Sequence, residues 1–246
     1  MEQERVRCER GEAATVEAKG LKKVYRFGHE EIQALRGVDF KVDRGDFTVI
    51  NGPSGSGKTT LLNLLACIDR PTEGEVRVDG QNTASLSEGE LAALRRQKIG
   101  LIFQTFNLIP VLSAFENAEY PLLLARVGRA ERRRRVASLL EAVGLADLSR
   151  RRPDDLSGGQ RQRVAVARAL VSDPKLVLAD EPTANLDSQT ASQVMGLLRR
   201  LNEDRCVAFV VVTHDPAVTG YARRAVRIHD GRLTEGDARV ASATAS

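Results

Sequence analysis

The sequence predicts an α/β chain on a mainly parallel sheet, with an antiparallel β subdomain ahead of it and a helical block set into it. Three observations carry that reading. A glycine loop, GPSGSGKT at 52–59, follows a short apolar strand and opens a leucine-rich helix. Strands and helices alternate from residue 158 onward, the pattern of a parallel sheet covered by helices. Between these lies a Leu-, Ala-, Glu- and Arg-rich block at 113–148 with helical spacing.

Taken in order, the β-rich segments IQAL (32–35), VDFKV (38–42) and FTVI (47–50) are broken by Gly20, Gly28, Gly37 and the RGD turn at 44–46, which suggests antiparallel strands leading into a core strand. The helix TTLLNLLACI (59–68) carries leucines at 61, 62, 64 and 65 on one face. An alternating strand at 75–78 ends in Asp79-Gly80, a hairpin signal. Ser87 and Glu90 are spaced as a capping box for a helix over 87–98, and IGLIFQ (99–104) reads as a buried strand. Pro121, Gly128 and Gly144 divide the helical block into two or three helices. A helix over 158–171, a strand over 176–180, a helix over 188–203, a strand over 207–212 and a hairpin at Asp230-Gly231 complete the alternation.

Composition narrows the function classes. At 246 residues the chain holds one large α/β domain, expected over 15–236 with its helical subdomain at about 105–157, between flexible ends at 1–14 and 237–246. The net charge of +4, from 37 basic and 33 acidic residues, is spread rather than gathered into a tail, so nucleic acid is not indicated as a partner. Cys8, Cys67 and Cys206 are odd in number and widely spaced, which suits a reducing compartment better than a disulfide framework or a zinc site. The charged N-terminal stretch is no secretory signal, and the longest apolar runs fall short of the ~20 residues that span a bilayer. A cytoplasmic location is expected, with any membrane role exercised through a partner chain.

The glycine loop brings backbone N–H groups onto phosphate oxygens. Gly52, Gly55 and Gly57 allow close approach, Lys58 adds a point charge, and Thr59 offers a hydroxyl to magnesium. Pro53, Ser54, Ser56 and Thr60 complete the candidate cradle, with the positive end of the following helix aimed at the phosphates. LVLAD at 176–180 is an apolar strand delivering a carboxylate to the edge of a parallel sheet, which places Asp180 for magnesium and Glu181 as general base for a water near the γ-phosphate. Alternation along the strand is expected to keep the two acids apart.

The segment LSGGQ at 156–160, before the helical RQRVAVARAL, offers a hydroxyl at Ser157, the amides of Gly158 and Gly159, and Gln160 at a second positive helix end. This segment resembles the signature of the ATP-binding cassette (ABC) family, and the resemblance extends from about residue 18 to 233. It implies a P-loop NTPase fold of the ABC ATPase type with a RecA-like core, binding of ATP with Mg2+, and a homodimer in which each ATP lies between the loop of one copy and the signature of the other. It places Tyr25 or Phe27 against adenine, Gln104 at magnesium and the attacking water, and His214 of VVVTHDP at the γ-phosphate. Asn185, Leu186 and Asp187 fall on the loop that crosses to the other copy, and Asp187 also suits a helix N-cap. His29 and His229 lack such a setting, and the arginine runs 132–135 and 150–152 read as solvated faces.

Within the family, ACIDRPTEGEV (66–76), IGLIFQTFNLIPVLSAFENAEYPLLL (99–124) and LADEPTANLDSQT (178–190) resemble the lipoprotein-release and macrolide-export group, the LolD/MacB/FtsE-like set. That likeness implies a separate integral membrane permease, FtsX/MacB-like, docked on residues 103–112 with Phe106, Asn107 and Leu108, and hence a place at the inner face of the membrane. A regulatory ATPase that gates an extracytoplasmic enzyme through a membrane partner fits the same sequence. DNA-repair ATPases of the superfamily carry inserted coiled coils or zinc modules, which this chain lacks. Two departures from the common wording are the Thr59-Thr60 pair and Ala184, where glycine is usual.

Overall fold

The computed structural model describes residues 14–28 and 30–235. The expected N-terminal extension before residue 14 and the tail at 237–246 lie outside the described residues, as do Cys8, His29 and the side chain of Phe27. Two sheets form the framework. The first is antiparallel, with β1 (Val16–Phe27), β2 (Glu30–Val42), β4 (Glu73–Val78) and β5 (Gln81–Asn82) in the order β2-β1-β4-β5. The second holds β3 (Phe47–Asn51), β6 (Ile99–Ile102), β7 (Leu176–Asp180), β8 (Ala208–Thr213), β9 (Arg224–His229) and β10 (Arg232–Glu235) in the order β10-β9-β3-β8-β7-β6. Every neighbouring pair in it is parallel except the β9–β10 hairpin.

Gly37 does not divide two strands as the sequence suggested. It sits inside the single strand β2 at φ +81°, close to the register shift that lets β1 and β2 stay paired along their length. Asp79-Gly80 and Asp230-Gly231 do close hairpins, each with both residues at positive φ, as a two-residue turn between twisted strands requires.

Among the described residues, six helices pack on this frame: α1 (Lys58–Leu65), α2 (Glu88–Lys98), α3 (Ala114–Leu124), α4 (Arg129–Ala142), α5 (Gly158–Leu170) and α6 (Ser188–Arg205). Capping boxes at Ser87/Glu90 and Ser113/Glu116 start α2 and α3. Pro121 lies inside α3 rather than ending it; the helix runs only three residues further, and Arg126 at φ +56° turns the chain away. So near the C-terminus, a missing N–H leaves little helix to destabilise.

Alternation along the central strands sorts the core. Phe47 and Val49 face the cluster built with α3, α4, α5 and α6, where Phe47 stacks on Phe209 at 5.6 Å, while Ile50 faces the cluster built with α1 and the antiparallel sheet. Both faces of the parallel strands are thus covered, which accounts for their unbroken apolar runs. Cys67 is a buried free thiol whose pKa burial pushes up to about 11. Cys206 is disulfide-bonded, against the expectation of unpaired cysteines. No helix among the described residues is long and apolar enough to cross a membrane.

Candidate nucleotide site

The site forms at the C-terminal edge of the parallel sheet, where register alone gathers its parts. Asn51 pairs with Thr213 and Asp180 with Val212, so β3, β7 and β8 end level. The phosphate loop leaves β3 and enters α1 through Gly57 at φ +102°, and a Cβ there would meet the Ala34 carbonyl at 2.6 Å. At Gly52 a Cβ would lie 2.2 Å from the Ile228 carbonyl. Only glycine fits either position. The Ser56 carbonyl anchors the loop by accepting from the Gly231 N–H at 3.0 Å, while Pro53, Ser54 and Gly55 form an exposed lip.

No side chain caps α1, which leaves its first-turn amides for a ligand. The Lys58 ammonium, 8 % exposed, donates to the carbonyls of Gly52 at 2.7 Å and Pro53 at 2.9 Å, poised over the loop it serves. Thr59 turns its hydroxyl to Asp180, 3.2 Å from one carboxylate oxygen and 3.5 Å from the other. Thr60 follows, half-buried, on the same turn.

Burial raises the Asp180 pKa, the Thr59 hydrogen bond works against that, and the neighbouring Glu181 charge adds to it. A half-buried carboxylate beside a hydroxyl is a hard-oxygen pair short of positive charge, and it suits Mg2+.

Glu181 takes different hydrogen-bond partners from Asp180, and it lies outside the strand whose alternation the sequence invoked. It lies just beyond β7 at φ +46°, a left-handed residue held by its N–H on the Val212 carbonyl at 2.9 Å. Its carboxylate accepts from the Thr213 hydroxyl at 2.9 Å and lies 2.7 Å from Nδ1 of His214. The Glu181 carboxylate and the histidine are therefore in contact. Thr213 was missed in the sequence, although it directly precedes His214 at the end of β8. Gln104 lies exposed two residues past β6, with its backbone carbonyl accepting from Asn185 Nδ2 at 2.9 Å.

The signature residues form a second helix start. Ser157 accepts the Gln160 N–H at 3.3 Å and donates its own N–H to the Gln160 side chain at 2.8 Å, so the side chain of Gln160 serves a capping box. The glycines have packing reasons as well: a Cβ on Gly159 would strike Thr190 Cγ2 at 2.4 Å, and one on Gly158 would press on Leu186 at 3.2 Å. Asp187 caps α6 through the Thr190 N–H at 2.9 Å, a bond that lowers its pKa. No hydrogen bond among the described residues joins Ser157, Gly158, Gly159 or Gln160 to the phosphate loop.

Tyr25 lies half-buried on β1, with its hydroxyl donating to Asp69 at 3.1 Å and the Lys23 ammonium 5.0 Å from its ring centre. Its cross-strand neighbour Ile32 is 51 % exposed, so an apolar surface continues beside the ring. Also missed in the sequence were two arginines of α5 that grip the loop after Gln104. Arg168 donates to the carbonyls of Phe106 and Asn107, and Arg161 lies 5.3 Å from the Phe106 ring centre.

The profile of the ABC transporter family matches residues 35–184. The macrolide export ATP-binding/permease protein MacB of Syntrophobacter fumaroxidans is 50 % identical over 218 residues, 88 % of this chain but 30 % of that longer protein. MJ0796 of Methanocaldococcus jannaschii, an ABC transporter ATP-binding protein, is 46 % identical over 222 residues, covering 89 % of this chain and 94 % of the relative. A solved structure of MJ0796, a dimer in a post-hydrolysis state bound to ADP and Pi, superposes with a TM-score of 0.82 at 45 % identity, over 89 % of this chain and 98 % of that one.

Proposed function

Because the chain belongs to the ABC transporter family of ATP-binding cassettes and is an ATPase of that kind, we propose that it drives a separate membrane permease of the lipoprotein-release or macrolide-export type. It does so by closing as a homodimer on two ATP molecules. The observation that carries this reading is the separation of two anion-ready helix starts in one chain. The α1 end has Lys58, Thr59, Asp180 and Glu181 around it, whereas the α5 end has none of them. One copy supplies half of each clamp, and the likeness to a dimeric cassette supports the pairing.

The loop amides and Lys58 hold the phosphates, and Tyr25 with Ile32 offers the base a platform. Thr59, Asp180 and Gln104 would hold Mg2+, which when bound neutralises phosphate charge. Glu181 takes the proton of the attacking water, and its contact with His214 orients the carboxylate until the histidine turns to the γ-phosphate. Ser157 and the amide of Gly158 close the far side from the second copy.

Residues 103–112 border the place where the permease docks. A cleft of about 270 Å³ opens there between Phe103, Leu101, Pro121 and the arginines 95, 96 and 168, with no carboxylate in its lining among the described residues. Tyr120, Leu123 and Leu124 are exposed on α3 nearby, and Val111 on the preceding loop is 72 % exposed. An apolar segment bearing an acidic residue complements this surface. The chain then sits at the inner face of the membrane through its partner.

The test is affinity isolation of the full chain from detergent-solubilised membranes. Co-purification of a permease with few membrane helices and a large external domain is expected. Co-purifying nucleic acid, with no membrane protein, would overturn the reading.

A further inference from the structure

We propose that Arg161 and Arg168 are positioning residues that fasten the helix led by Ser157 to the loop carrying Gln104, and so link the two ATP sites of the dimer. This rests on the two-copy clamp proposed above. Arg161 and Arg168 are seven residues apart on α5 and share a face. Both converge on one dipeptide. The Arg168 guanidinium spans two successive carbonyls, that of Phe106 at 2.8 Å and that of Asn107. Arg161 lies over the Phe106 ring at 5.3 Å, with its Nε buried and without a hydrogen-bond partner among the described residues.

The gripped loop is not relaxed. Phe106 and Asn107 sit in the left-handed region at φ +62° and +48°, and a phenylalanine keeps that conformation only where its surroundings hold it. No carboxylate among the described residues pairs with Arg168, and its guanidinium donates to these two carbonyls. Gln104 lies two residues upstream, and its own carbonyl is held by Asn185. Asn185 adjoins Leu186, which packs on Gly158 at the start of α5. The glutamine loop is therefore tied to the signature helix on two sides.

In the dimer the signature of one copy seats on the ATP of the other, while Gln104 serves the ATP of its own copy. A shift of α5 on closing reaches Phe106 and Asn107 through rigid groups, and Gln104 with them. Occupation of one site thereby prepares the other, and hydrolysis is expected to be cooperative, with a Hill coefficient above 1.

The test measures ATP hydrolysis by the purified full chain across ATP concentrations. For Arg168→Met the turnover is expected to fall roughly 10–100-fold, KM to change by no more than about twofold, and the Hill coefficient to drop to 1. Arg168→Lys keeps the charge but cannot span both carbonyls, so intermediate values are expected. Arg161→Leu, which leaves the carbonyl grip intact, should lower the Hill coefficient with a fall in turnover of a few-fold. It carries the test if Arg168→Met does not fold.

The same Arg168→Met change in a Glu181→Gln background should still give an ATP-bound dimer by gel filtration. A dimer that forms normally while Arg168→Met keeps wild-type turnover and Hill coefficient would overturn the strap. Absence of any ATP-bound dimer for Glu181→Gln alone would instead overturn the clamp on which it rests.

Discussion

The helix starts of α1 and α5 would each meet a phosphate in the closed dimer, yet they are built differently. Among the described residues, α1 begins at a glycine with no side chain on its first amides; α5 begins at a serine whose hydroxyl accepts from the Gln160 N–H in a capping box. They share one property. Of the six described helices, α1 and α5 alone have no carboxylate at the N-cap or in the first turn, whereas α2, α3, α4 and α6 carry Glu88 and Glu90, Glu116, Glu131 and Asp187 there. Acidic side chains ordinarily satisfy the positive end of a helix. Leaving them out keeps that potential for an external anion. On the proposed clamp, the contrast in capping separates a principal site, open and equipped with Lys58, from an auxiliary one whose start is already capped.

The largest test removes the chemistry and leaves both helix ends intact. Glu181→Gln keeps shape and loses the base, so turnover should fall ~10²–10⁴-fold while ATP binding persists. If the auxiliary end completes its site in a second copy, this variant accumulates as an ATP-bound dimer in gel filtration. A persistent monomer would break the comparison, because α5 would then have no phosphate to meet.

Lys58→Ala strikes the principal end alone. Loss of a charge-assisted contact worth about 1.5–3 kcal/mol should weaken ATP binding roughly 10–100-fold. Calorimetry with the non-hydrolysing Glu181→Gln background measures it directly. Unchanged affinity would mean that the loop amides bind the phosphates without the ammonium.

Gln160→Glu sharpens the comparison at the auxiliary end. Glutamate satisfies a capping box as it does at Ser87 and Ser113, so the melting temperature should hold. It also returns a negative charge to the helix end, and about a tenfold loss of turnover is expected from repulsion of the phosphate. Full activity would show that the neutral residue at 160 has no electrostatic purpose.

Much of this was legible in the sequence, because short-range rules govern it. The capping box at Ser87 and the hairpins at Asp79 and Asp230 depend on residues within four positions of one another, and each folds as its spacing predicts; the equivalent box at Ser113 has the same spacing and was missed. Where long-range pairing decides, the sequence was silent or misleading. Gly37 looked like a strand break because nothing local reveals that β1 runs alongside and absorbs the bulge. Alternation along one strand was invoked for both Asp180 and Glu181, but Glu181 lies past β7 in a left-handed turn whose N–H pairs with Val212 across the sheet. The contacts Asn185–Gln104 and Arg168–Phe106 span 81 and 62 residues and left no local mark.

The smallest effect comes from a cap that faces no ligand. Ser113 at the start of α3 accepts the Glu116 N–H at 3.2 Å and donates its own N–H to the Glu116 carboxylate at 2.8 Å, as Ser157 does with Gln160, but the Ser113 hydroxyl also donates to that carboxylate at 2.7 Å. Ser113→Ala should cost about 1 kcal/mol of stability, seen as a lower denaturant midpoint, with ATP turnover unchanged. Ser157→Ala removes only the bond from the Gln160 N–H and should cost no more stability than Ser113→Ala, but it also deletes the hydroxyl proposed to meet the other copy's phosphate. A loss of turnover in Ser157→Ala alone, with a stability cost no larger than that of Ser113→Ala, would show that the auxiliary helix start has a ligand as well as a cap. Equal turnover in both would reduce Ser157 to the structural role that Ser113 has.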